Sequence, residues 1–196
     1  EAKTAVDSRV KEKTEAMLDK VREGVVDNVR LWEMGWKDRY YSDKCKVEDI
    51  ETGGGREHVY RTYVQGLCWV MLYYYQGCTS WTWYYPFHYA PFASDLVNCD
   101  RYEPSFDLSE PFRPIEQLMS VLPAASAAAL PLPCRRLMTD EDSPILDFYP
   151  KKVPCDPNGK PMPWLWVVLL PFIDEKRLLD TLRPLYAEFS VEETAR

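Results

Sequence analysis

Between residues 60 and 99 the chain carries only two charged side chains, Arg61 and Asp95, while thirteen of its 27 aromatic residues fall between Tyr60 and Phe92. Residues 57–76 place Val59, Tyr63, Leu67, Val70 and Tyr74 on one helical face, and Tyr60, Val64, Met71 and Tyr75 widen it. A helix apolar on nearly every side is expected to be buried on most of them. Gly77 supplies a stop. Pro86 and Pro91 keep residues 79–93 (TSWTWYYPFHYAPFA) out of a long helix or a central strand. The pattern predicts a buried helix followed by an ordered aromatic loop.

The flanking segments follow more ordinary rules. Residues 4–34 read as a long amphipathic helix, with Val6, Val10, Met17, Val21, Val25, Val29 and Trp32 at steps of three, four or seven. Gly24 weakens it and Gly35 is its expected stop. Arg39, Lys44 and Lys46 in residues 36–47 are candidate phosphate contacts, although short basic runs also serve as plain surface. Residues 51–56 (ETGGGR) read as a flexible loop and an internal boundary.

From residue 100 to 163 prolines punctuate short helices. Pro114 opens one that carries Ile115, Leu118, Val121 and Leu122, Pro123 breaks it, and residues 124–130 form a second short turn. Residues 156–160 (DPNGK) predict a hairpin-type turn centred on Asn158-Gly159. Residues 164–170 read as a short buried strand or helix start. Asp174 caps a final helix carrying Leu178, Leu179, Leu182 and Leu185. Ser190 and Glu193 form a capping box. No internal repeat is visible. The fold class is mostly α with a few short strands.

The chain has a net charge of −7, so composition gives it no general attraction to polyanions and argues against an autonomous nucleic-acid binder. Its six cysteines include no C-x-x-C pair, and with only His58 and His88 beside them no zinc constellation emerges. A disulfide framework is not expected in so long and apolar a chain, which points to a reducing compartment. The longest apolar run, residues 164–173, is too short to span a bilayer, so no membrane partner is expected. A chain opening on Glu1 without a Met is read as starting at a cut or cleavage boundary, so that any targeting signal upstream is out of view. Asp140, Glu141 and Asp142 invite a Mg²⁺ reading, but they follow a short helix and are read as structural. Asp95 and Asp147 are expected to fix loops through backbone N–H groups. No Gly-rich phosphate loop, Ser-His-Asp set or Cys-His pair occurs.

Six stretches in one order carry a family resemblance: residues 73–81 (YYYQGCTSW), 83–95 (WYYPFHYAPFASD), 112–126 (FRPIEQLMSVLPAAS), 137–150 (LMTDEDSPILDFYP), 158–160 (NGK) and 169–179 (LLPFIDEKRLL). Together they resemble the second conserved region of the Xrn-family 5′→3′ exoribonucleases over roughly residues 32–186. Gln76-Gly77-Cys78 and Phe87-His88-Tyr89-Ala90-Pro91 resemble the nuclear Rat1-type enzymes more than the cytoplasmic ones. Residues 127–129 (AAA) and 134–136 (CRR) depart from the family pattern. On this resemblance residues 1–50 are a long helix and connector, 51–189 the conserved region and 190–196 a tail.

The resemblance implies half of a two-block exonuclease domain that packs against an α/β nuclease block absent from this chain. The absent N-terminal block would hold Mg²⁺ or Mn²⁺ in an acidic cluster and a basic pocket for the 5′ phosphate, so no catalytic or metal-binding residue is expected here. The substrate implied is 5′-monophosphorylated single-stranded RNA, released as mononucleotides. This half would narrow the entrance and stack an aromatic side chain on the terminal base, with Trp81 and Trp83 as candidates against a plain core role for both. His88 is a third RNA-binding candidate. A protein activator and a nuclear location are further expectations, with the cytoplasm as the other location. The alternative is a non-catalytic Xrn-like scaffold or interaction module in a larger assembly.

Overall fold

Arg39 shows how local signals and tertiary partners divide the work in a computed structural model that describes residues 11–12, 15–16, 27–48, 54–160 and 162–194. Its guanidinium donates to the carbonyls of Val29 (2.9 Å), Met34 (2.8 Å), Arg30 (3.0 Å) and Glu33 (3.1 Å). The Asp27 carboxylate accepts the N–H groups of Val29 and Arg30 at 3.0 and 3.1 Å. Residues 27–34 are therefore bent into turns, not into the end of the predicted 4–34 helix. Residues 11–12 and 15–16 are helical, and the other residues of that predicted helix before Asp27 lie outside the described residues. Gly35, with φ 81°, opens the next helix rather than ending the previous one.

That next helix is α1 (Trp36–Cys45), followed by α2 (Gly54–Gln76). Among the described residues the later helices are short: α3 (Pro114–Val121), α4 (Leu132–Thr139), α5 (Glu175–Leu182) and α6 (Val191–Thr194). Tight turns of 3₁₀ type link them, and one antiparallel pair, β1 (Cys155–Asp156) and β2 (Val167–Val168), is the sheet. The fold is mostly helical with few, short strands. No described helix is long and apolar enough to cross a membrane.

The described chain forms two units interleaved in sequence. The first takes the described residues within Glu1–Tyr60, Phe87–Asp95 and Pro154–Leu169. Its core is aromatic: Tyr41, Cys45, Val59 and Tyr89 are buried, with Phe87, Phe92, Val167 and Leu169 against them. Tyr40 and Phe92 lie with ring centroids 4.5 Å apart, and Trp36 meets Phe92 edge-on at 4.7 Å. The predicted turn is present, since Asn158 (φ 46°) and Gly159 (φ 72°) are both left-handed and Lys160 N–H donates to the Pro157 carbonyl at 2.8 Å.

Residues 164–170 correct the expectation of a buried segment. A two-stranded ribbon covers only one of its faces, so Leu169 packs inward while Val168 and Leu170 stay exposed. Trp164, in a 3₁₀ turn before β2, is 74% exposed.

The second unit takes Arg61–Pro86, Leu96–Val153 and the described residues of Leu170–Arg196. Met119, Leu130, Cys134, Met138, Ile145, Phe148, Tyr149, Leu178 and Leu182 form its core. Pro114 sits in the first turn of α3, and Glu116 reaches back to Arg113 N–H at 2.7 Å while also accepting Arg183 Nε at 3.2 Å. Asp174 caps α5 through Arg177 N–H at 3.0 Å. Ser190 and Glu193 exchange hydrogen bonds at 2.9 and 3.2 Å, the capping box predicted there.

Two further expectations are corrected. Asp95 receives Lys37 Nζ and Tyr41 Oη at 2.6 Å each, and Asp147 is forked by the Arg177 guanidinium at 2.6 and 2.8 Å. Their leading partners are side chains rather than backbone N–H groups, because Lys37 and Arg177 bring a full opposite charge that a backbone N–H lacks. And α2 is not buried on most sides. Val59, Thr62 and Val64 are buried, but Leu67, Val70, Met71, Tyr73, Tyr74 and Tyr75 are exposed, the last two at 77% and 80%.

Candidate functional site

The aromatic loop after α2 is built by a run of backbone ties. Gly77, with φ 95°, turns the chain out of the helix while its N–H still reaches the Tyr73 carbonyl at 3.2 Å. Ser80 is the buried polar anchor that follows. Its carbonyl accepts the Trp69 indole N–H at 3.0 Å and the Cys78 thiol at 3.3 Å, and its hydroxyl accepts Trp83 N–H at 3.2 Å. Trp81 N–H donates to the Leu108 carbonyl at 3.1 Å. Gly77, Ser80, Trp81 and Trp83 are thus each held through a main-chain group, and the Trp81 side chain projects from the pinned loop.

Trp81 and Trp83 are brought to one place but in different states. Trp81 is 54% exposed. Trp83 is half-buried, edge-on to Phe106 at 6.1 Å and 88°. Its ring also lies over Gly66 of α2, where an added Cβ would stand 2.8 Å from Trp83 Cη2. Both tryptophans line a cleft of about 230 Å³ with Thr82, Tyr84, Phe172 and Glu175. Tyr84 and Phe172 lie nearly parallel, 5.7 Å apart and 28° between planes. Such a cleft offers flat π surfaces to a planar ring, together with the hydroxyls of Thr82 and Tyr84 and the carboxylate of Glu175.

His88 belongs to the first unit, half-buried between Phe87 and Tyr89, which both contribute to the aromatic core. Its neighbour Tyr89 donates to the Asp156 carboxylate, which also takes the Lys44 ammonium. Burial pushes the Asp156 carboxyl upward, but the hydrogen bonds from Lys44, Tyr89 and Asn158 N–H outweigh it and hold it below the usual range. The Asp95 carboxyl is likewise raised by burial and lowered further by Lys37 and Tyr41, with a net fall. Burial first, and then the hydrogen bond to a carboxylate, raise the phenols of Tyr41 and Tyr89. Of the three candidate phosphate contacts in residues 36–47, Arg39 is committed to carbonyls and Lys44 to Asp156, while Lys46 is exposed at the end of α1.

Among the described residues no group of three His, Cys, Asp or Glu side chains stands close enough to hold a metal ion, Asp140, Glu141 and Asp142 included. Among the described residues the donor groups do not fit a divalent metal. The chemistry this surface supports is binding of a planar group.

All of residues 1–196 match the family described as the Xrn1 helical domain. The chain belongs to that family. It is 55% identical over 179 residues to the 5′-3′ exoribonuclease 2 of Kluyveromyces lactis, covering 90% of this chain. It is 53% identical over 171 residues to the 5′-3′ exoribonuclease 2 of Gallus gallus (87% of this chain), and 52% identical over 177 residues to a 5′-3′ exoribonuclease 2 homolog of Caenorhabditis elegans (89%). The chain spans 18% of the length of each of these three relatives.

Trp81 and Trp83 are candidates through the family resemblance, within a stretch that also stands out by its aromatic density. Sequence reasoning missed Gly66, Ser80, Phe172 and Glu175. Gly66 carried one usable signal, because a glycine inside a helix is second only to proline in weakening it and so calls for a packing reason. Phe172 and Glu175 lie some ninety residues further along the chain than Trp81 and carry no local mark.

Proposed function

We propose that this chain is the helical block of a processive 5′→3′ exoribonuclease that degrades 5′-monophosphorylated single-stranded RNA to mononucleotides. The supporting observation is an exposed tryptophan on a main-chain-pinned loop, Trp81, in a chain more than half identical to relatives named 5′-3′ exoribonuclease 2. Trp81 stacks on an RNA base at the entrance, and Trp83 seats the loop that carries it. Stacking of this kind contributes about 1–3 kcal/mol per base and accepts any sequence, as a processive nuclease requires. Hydrolysis belongs to an N-terminal block outside this chain, where a bound Mg²⁺ or Mn²⁺ would activate water. The apolar end of α2, with Tyr73, Tyr74 and Tyr75 exposed, faces that block. Gln76-Gly77-Cys78 and Phe87-His88-Tyr89-Ala90-Pro91 favour the nuclear type of the enzyme.

The test is Trp81→Ala in the full-length protein, read on a long 5′-phosphorylated single strand. We expect nucleotides released per binding event to fall about tenfold, as loss of one stacked base implies, with Tm unchanged. Unaltered processivity would remove Trp81 from the RNA path. No nucleotide release by the unmodified full-length protein would favour the scaffold reading instead.

A further inference from the structure

Gly66 stands in the middle of α2, where alanine would serve the helix better. Space explains the glycine. The six-membered ring of Trp83 covers the position so closely that a Cβ would meet Cη2 at 2.8 Å, a separation side chains do not adopt. Trp83 cannot retreat freely, since Phe106 stands edge-on against it and its N–H is tied to Ser80 Oγ. Ser80 is itself fixed from α2 by the Trp69 indole. Trp81 lies between these two tied residues and shares the cleft with Trp83.

We infer that Gly66 is a positioning residue for RNA: its missing side chain seats Trp83 on α2, and Trp83 in turn sets the direction in which Trp81 faces the strand. The inference rests on the reading of Trp81 given above. Gly66 touches no RNA and takes no part in hydrolysis. Adding one methyl group there forces Trp83 outward, tilts the 80–83 loop and spoils the stacking plane, although Trp81 is still present.

Four variants of the full-length enzyme test this with KM and kcat on a 5′-phosphorylated single strand and with Tm. Gly66→Ala should raise KM about tenfold while kcat stays within about twofold, the signature of lost strand binding rather than lost chemistry. Gly66→Ala combined with Trp83→Phe, whose smaller ring vacates the clash, should recover most of the KM. Gly66→Ala added to Trp81→Ala should cost little beyond Trp81→Ala alone, because both act on one contact. Trp83→Phe alone, which loosens the seat without a clash, should raise KM about threefold, a fraction of a stacked base.

A merely structural role would lower Tm and the active fraction, hence apparent kcat, and leave KM unchanged. That result, or no rescue by Trp83→Phe while Trp81→Ala still raises KM, overturns the role of Gly66 and leaves the function of Trp81 standing. A KM unchanged by Trp81→Ala overturns the underlying reading as well. Should Gly66→Ala fail to fold, an unchanged KM in Trp83→Phe overturns the inference.

Discussion

The second unit closes mainly on Met119, Leu130, Ile145, Leu178 and Leu182, with one core tyrosine, Tyr149, that donates to the Met119 carbonyl at 2.8 Å, whereas the first buries Tyr41 and Tyr89, whose hydroxyls donate to carboxylates. One core is held by the removal of apolar surface from water, at about 1.5–3 kcal/mol for each large side chain. The other adds paired Lys–Asp–Tyr contacts: Lys37 and Tyr41 on Asp95, and Lys44 and Tyr89 on Asp156. A polar core of that kind fixes geometry tightly but fails when any one partner is lost. The apolar core tolerates changes of charge and not changes of volume.

Leu178→Ala gives the largest expected effect. Leu178 is fully buried at the centre of the apolar cluster, and its truncation should destabilise the second unit by about 2–5 kcal/mol, read by chemical denaturation of the full-length protein. A loss under about 1 kcal/mol would mean that the cluster repacks and that its shape is not what holds it.

Asp95→Ala comes next, at about 2 kcal/mol, because it strands a buried Tyr41 hydroxyl and an ammonium together. Its pH dependence sharpens the contrast. The folded-state carboxyls of Asp95 and Asp156 lie below their ordinary values, so their contribution is present above the unfolded value of about 3.9 and is lost as pH falls through the lower folded values. Tryptophan and tyrosine signals of the first unit should melt in acid before those of the second, and the gap between Asp95→Ala and the unaltered protein should close there. Asp147 in the second unit is also lowered, but its pair with Arg177 is exposed and solvent screens it. Alkali does not discriminate, because phenols in both units, Tyr40 and Tyr149, are pushed up to about 12 by burial.

The smallest effect is expected of Lys176→Ala. Its contact with Asp180 lies on the exposed face of α5, and its removal should leave Tm unmoved. A measurable drop would show that surface charge carries stability in the second unit too.

What the sequence made legible was local chemistry. Pro114, Asp174, the Ser190–Glu193 pair and Asn158-Gly159 each act within four residues, and each is where the pattern placed it. Residues 27–34 follow a helical period and are not helical, because Asp27 and the distant Arg39 take their backbone groups. α1 passed unnoticed because its inward side is a tyrosine and a cysteine, Tyr41 and Cys45, with no aliphatic stripe. The exposed face of α2 was misjudged because an apolar pattern says that a surface is covered and not by which polypeptide. At the cleft, the family resemblance pointed to the two tryptophans, while the difference between them depends on Gly66, seventeen positions before Trp83, and on a steric contact that no periodicity encodes.

The interleaving of the two units also bears on synthesis. On the ribosome the first unit lacks β2 until residue 168 has emerged, and the second lacks Leu178 and Leu182 until α5 has followed. The apolar end of α2 is by then long exposed in a chain with neither core complete. A ribosome stalled between residues 100 and 150 would present that stretch beside two unfinished cores, where such exposed apolar surface is prone to associate.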